Sequence, residues 1–127
     1  FDGIVYAVFV GMGFATAENI AFVMQGSASL AILRMLSAVP AHFVFAVIMG
    51  YYLGKAKTEK KNKFLYLFLS LLVPIVFHAF YDYFLFLENI PGIWIGGFVT
   101  LLIAFFVAKN SIIEHLKASP FKKENNK

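Results

Sequence analysis

Residues 64–87 read FLYLFLSLLVPIVFHAFYDYFLFL, with no formal charge between Phe64 and Tyr81. About 20 predominantly apolar residues, rising about 1.5 Å each, cross a hydrocarbon core about 30 Å thick, so this stretch is long enough to span a bilayer. Its two ionisable side chains, His78 and Asp82, are four residues apart and share one helix face. A charged group at the centre of a membrane helix costs about 3 kcal/mol or more, and groups retained there face one another or a wet cavity. The stretch therefore reads as one wall of a membrane-embedded site, not only as an anchor.

Working outward, three more segments are apolar enough to span: about Phe1 to Met24, about Leu30 to Gly54, and about Ile90 to Ala108. No formal charge falls in 35–54 or 90–108. The first segment is interrupted by Glu18 and Asn19. Barrel strands would alternate apolar and polar residues over about 10 positions, and no such alternation is present. Amphipathic helical periodicity is nearly absent too, as expected for helices wet by lipid or buried all round. The fold class expected is all-α, a polytopic transmembrane bundle with four spans.

Composition agrees. The chain of 127 residues is 61% hydrophobic and 14% charged, against about 25% charged in a soluble domain. No cysteine is present, which excludes disulfides, thiolate catalysis and cysteine-ligated metals. No basic n-region or small-residue cleavage site precedes the first apolar stretch, so Phe1–Val10 does not read as a signal peptide, and the chain reads as a piece of a longer protein.

Ten of the eleven basic residues lie in two places: Lys55, Lys57, Lys60, Lys61 and Lys63 between spans two and three, and Lys109, Lys117, Lys122, Lys123 and Lys127 after span four. Four spans put both on one side, which the positive-inside rule makes cytoplasmic. The net charge of +4 is then a matter of topology, and nucleic acid is not expected as a partner. Two domains are expected: a membrane-embedded unit at 1–108 and a basic cytoplasmic tail at 109–127, disordered beyond Ser119, where Pro120 ends any helix. Tyr51, Tyr52 and Tyr66 are expected at the basic interface, and Tyr81, Tyr83 and Trp94 toward the opposite one.

The polar residues fall at similar depths. Counted from the basic-loop end of each span, His42 lies about 18 Å deep, His78 about 21 Å, Glu18 about 26 Å and Asp82 about 27 Å. An aspartate four residues after a histidine can accept from one imidazole nitrogen and leave the other for a metal or a substrate. Asn19 adds an amide donor of the kind that holds a developing oxyanion. Pro40 and Pro74 precede the two histidines and are expected to bend their helices and open a pocket. Gly50 and Gly54 form a G-x-x-x-G spacing that lets helices approach closely. Arg34 is expected to snorkel to the outer surface, Asp2 to mark the interface, Glu88 and Asn89 to sit in a solvated turn, and His115 to be solvated in the tail.

Gly13-Phe14-Ala15-Thr16-Ala17-Glu18-Asn19, His42 with its downstream Gly50 and Gly54, and His78-Ala79-Phe80-Tyr81-Asp82 together resemble the PrsW family of bacterial intramembrane proteases. The resemblance covers about Asp2 to Ala108 and extends more distantly to the CAAX-processing and bacteriocin-immunity membrane proteases. It implies an endopeptidase of the cell membrane that hydrolyses a peptide bond of a membrane-bound protein, such as an anti-sigma factor, on the extracytoplasmic side. It implies catalytic roles for Glu18, Asn19, His42, His78 and Asp82. The family carries a Glu-Glu-x-x-Lys motif upstream of the matched region, so a further glutamate is expected before Phe1, and the fragment alone is expected to be inactive. Glu18, His42 and His78 could hold zinc and leave a position open for water. A metal-free glutamate–histidine mechanism is the alternative, and no H-E-x-x-H strengthens the metal reading. Outside the resemblance, acid–histidine layers also serve proton-coupled transporters, and a structural membrane module would tolerate substitution at every polar position.

Overall fold

A computed structural model describes residues 2–26, 28–87 and 89–118. The described chain forms five α-helices: α1 (Asp2–Gln25), α2 (Ala28–Leu36), α3 (Ala38–Thr58), α4 (Lys63–Phe86) and α5 (Ile95–Lys117), with a 3₁₀ turn at Lys60–Asn62 before α4. No strand occurs among the described residues. Four stretches, 2–24, 31–58, 60–86 and 95–117, are long and apolar enough to cross a membrane. Within hydrocarbon each backbone N–H and C=O must find a partner in its own segment, which a helix provides.

The second span, expected over about Leu30 to Gly54, carries the bend expected from Pro40. It is broken at Ser37 into α2 and α3. Pro40 explains the break: its ring excludes the carbonyl four residues earlier, at Leu36, and it has no N–H to donate. Pro40 therefore sits in the first turn of α3, where a missing N–H costs nothing, and the bend falls ahead of it. The hydroxyl of Ser37 turns back to the Leu33 carbonyl at 2.8 Å. Pro74 lies inside α4 as expected and is buried. The basic connection proves largely helical, since α3 runs to Thr58 and α4 starts at Lys63. The last helix begins at Ile95, after a turn in which Gly92 takes φ +81°, and continues past Ala108 to Lys117. Asn89 is exposed as expected, whereas Glu88 and the tail from residue 119 lie outside the described residues.

Helix α3 is the centre of the bundle and packs against all four other helices. Its buried face includes Ala41, Val44, Phe45, Val47 and Ile48, which join Ile4, Tyr81, Ala104 and Ala108 in the core. Tyr81 is thus a core residue and not an interface anchor. The remaining apolar side chains point outward; Tyr6, Phe9, Phe64 and Phe106 are among many exposed large hydrophobics. In water such a surface would aggregate, whereas in a bilayer it is the lipid-facing coat.

Glycines fix how closely α1 and α3 approach. A methyl group added at Gly50 would meet Ile4 Cα at 2.4 Å and the Gly3 carbonyl oxygen at 2.6 Å. These backbone contacts pair the start of α1 with the end of α3, so the two helices run antiparallel and Glu18 comes level with His42. At the same end, Tyr51 donates to Glu114 at 2.5 Å and Lys55 pairs with Glu114 at 2.9 Å. His115, expected to be solvated, is instead half-buried. Its Nε2 lies 3.2 Å from the Tyr51 carbonyl, and its ring occupies the space left by Gly54. The ends of α3 and α5 and the start of α4 therefore share one face of the bundle, the face carrying the basic connection.

Candidate active site

Three helices bring the sequence-selected residues together. Glu18 comes from α1, His42 from the second turn of α3, and His78 and Asp82 from the second half of α4. His42 Nε2 and Glu18 Oε2 are 2.8 Å apart. The rings of His42 and His78 meet edge to face with centroids 4.8 Å apart. Asp82 Oδ2 lies 3.2 Å from His78 Nε2, the i, i+4 relation anticipated from spacing. His42 is 7% exposed and Glu18 22%, so the group is drawn into the bundle but is not sealed.

Glu18, His42 and His78 each offer one ligand atom, all within 4.8 Å of one another. Two imidazole nitrogens and one carboxylate oxygen make the donor set of a catalytic zinc site, with three protein ligands and one position left for substrate or water. The residues therefore fit a divalent metal by donor type and by proximity. Asp82 stands behind His78 in the position of an orienting partner.

Next to the histidines is a cavity of about 300 Å³ whose walls include Phe14 from α1, Phe45 and Ala46 from α3, and Pro74 and Ile75 from α4. It forms because the backbones of α1 and α4 both pack on α3 but not on each other. The cleft is almost wholly apolar apart from the two imidazoles that close it. It offers room for an apolar side chain beside the polar cluster.

One polar residue of the site was missed by the sequence reading. Arg34 does not snorkel to a surface: its Nη2 donates to Glu18 Oε2 at 2.8 Å and its Nε to Asn19 Oδ1 at 2.9 Å. The guanidinium lies 3.8 Å over the centroid of the Phe22 ring. Asn19 is therefore drawn toward Arg34, beside the histidines' carboxylate partner. The signal available was that Arg34 is the only base outside the loop and tail. Its inward direction depends on the break at Ser37, which composition alone does not disclose.

Apolar spanning helices around a histidine–carboxylate cluster define this chain as a multi-pass membrane protein with an embedded polar site. Residues 1–109 match the family described as PrsW family intramembrane metalloprotease, and the chain belongs to that family. Among proteins named protease PrsW, that of Geobacillus kaustophilus is 42% identical over 102 residues, covering 80% of this chain and 45% of the relative. That of Clostridioides difficile is 43% identical over 93 residues, 68% of this chain and 39% of the relative. That of Bacillus subtilis is 44% identical over 86 residues, 67% of this chain and 39% of the relative. The chain spans under half the length of these curated relatives, all bacterial. No solved structure matches it.

Proposed function

We propose that this chain is the catalytic core of an intramembrane endopeptidase that hydrolyses a peptide bond of a membrane-bound protein. The observation that carries the proposal is the convergence of Glu18, His42 and His78 from three helices, each ligand atom within 4.8 Å of the others, beside an apolar cleft. Zinc is the metal this donor set suits best, and held there it would polarise a carbonyl and make water a competent nucleophile near neutral pH. Glu18, His42 and His78 would hold the metal. Asp82 fixes the ring of His78, and the amide of Asn19 faces developing negative charge. The general base is the glutamate that the family resemblance implies upstream.

The basic connection and the end of α5 are cytoplasmic in this reading, by the positive-inside rule. The site then lies in the outer half of the bilayer, which suits cleavage on the extracytoplasmic side of a substrate such as a membrane-spanning anti-sigma factor. The last turns of α5, from Lys109 to Lys117, lie at that cytoplasmic end.

The test uses the full-length enzyme in liposomes with a single-pass membrane substrate. His42→Ala and His78→Ala should each reduce cleavage at least 100-fold while melting within a few degrees of the parent. Cleavage retained in either folded variant ends this assignment.

A further inference from the structure

We infer that Arg34 is a positioning residue of the proteolytic site, holding Glu18 and Asn19 in register through one edge of its guanidinium; the inference rests on the function proposed above. Nε and Nη2 lie on the same edge of a planar group, a geometry suited to engaging two acceptors at once. Here the acceptors belong to consecutive residues of α1. Nη2 reaches Glu18 Oε2 at 2.8 Å and Nε reaches Asn19 Oδ1 at 2.9 Å. The face of the guanidinium rests on Phe22 at 3.8 Å from the ring centroid, which fixes the plane of the fork.

Two consequences follow for the chemistry. Glu18 Oε2 is held from two sides, by Arg34 Nη2 at 2.8 Å and by His42 Nε2 at 2.8 Å. The carboxylate of a proposed metal ligand is therefore oriented by the base, as a second-layer partner orients a ligand. Arginine can only donate, so the oxygen of the Asn19 amide must face it and the NH₂ must face away. Arg34 thereby fixes which end of Asn19 remains available as a donor. The side chain is 13% exposed, and a cation there without a partner would withdraw to an interface. The bend at Ser37 and the pair of acceptors keep it inside.

The test takes the full-length enzyme in lipid nanodiscs and compares Arg34→Gln and Arg34→Lys with the parent. Cleavage of a membrane-spanning substrate gives kcat and KM, a zinc chelator competition gives the metal Kd, and thermal unfolding reports the fold. Arg34→Gln should lower kcat 10- to 100-fold with KM within twofold, and raise the zinc Kd about 10-fold. Arg34→Lys should recover part of both, since an ammonium keeps the charge but cannot hold both acceptors as the fork does. In a Glu18→Ala background, Arg34→Gln should change the zinc Kd by less than twofold, because no acceptor is left at position 18 for the guanidinium to orient. If Arg34→Gln does not fold, the folded Arg34→Lys enzyme decides, and parental kcat and Kd in it overturn the inference. Equal losses in the two backgrounds overturn it as well. Normal dependence on His42 with indifference to Arg34 ends this inference alone. Cleavage that survives His42→Ala ends the site assignment, and this inference with it.

Discussion

His42 Nε2 lies 2.8 Å from Glu18 Oε2, although 24 residues separate them in the chain. The pair is set by backbone packing some distance away. Gly3 and Gly50 let α1 and α3 touch at the basic end, and the antiparallel helices then carry Glu18 and His42 to one level. A bilayer supplies little hydrophobic drive between helices, so close packing of small residues and polar contacts must hold such an arrangement. Membrane packing and site geometry are in this sense one structural problem.

Glu18 is a contact of both His42 and Arg34 and one of the three proposed metal donors. Glu18→Gln keeps its size but removes a charge and one acceptor oxygen. It should weaken zinc binding at least 10-fold and reduce cleavage at least 100-fold, with the helical content intact. Zinc titration and a cleavage assay on the full-length protein check this; parental zinc affinity in Glu18→Gln would remove Glu18 from the ligand set.

Much of this arrangement is legible in the sequence because a membrane restricts what apolar stretches can do. The span at Phe64–Leu87, the i, i+4 relation of His78 and Asp82, and the common depth of His42, His78 and Glu18 follow from rise per residue and from the cost of charge in lipid. The failures cluster where tertiary geometry decides. Arg34 was expected at the surface because arginines usually leave hydrocarbon, but two acceptors on α1 and a bend at Ser37 turn it inward. His115 reads as solvated because it lies beyond the fourth apolar span, whereas the missing side chain of Gly54 makes room for its ring. The bend expected from Pro40 is present, and because a proline disturbs the residues before it, the break falls at Ser37.

Asp82 tests whether His78 is held or merely nearby. Its Oδ2 is 3.2 Å from His78 Nε2, and partners of this kind change metal affinity or activity by about 10- to 100-fold when removed. Asp82→Asn should lower kcat in that range, and Asp82→Ala should do so at least as strongly. An enzyme whose kcat is unchanged in both would show that His78 keeps its orientation without the carboxylate.

Gly50 tests the link between packing and site. The atoms that an added side chain would meet there are the backbone of Gly3 and Ile4, which cannot rotate away. Gly50→Ala should destabilise the bundle by about 1–3 kcal/mol, as overpacking does. Gly13→Ala is the control, since a methyl group there meets nothing within 4 Å, and its stability should match the parent. Thermal unfolding in detergent, run in parallel on both variants, checks the contrast; equal stability would mean that α1 and α3 can separate without loss.

Orientation can be read directly because the chain contains no cysteine of its own. Lys60 begins the 3₁₀ turn between α3 and α4 and is exposed. Asn89 is exposed in the connection at the opposite end. With the basic end cytoplasmic, Lys60→Cys should resist a membrane-impermeant maleimide in intact cells and react once the membrane is opened. Asn89→Cys should react in intact cells. The reverse pattern would put the histidine layer in the inner half of the bilayer, and the proposed cleavage on the outer side would then have no catalytic groups near it.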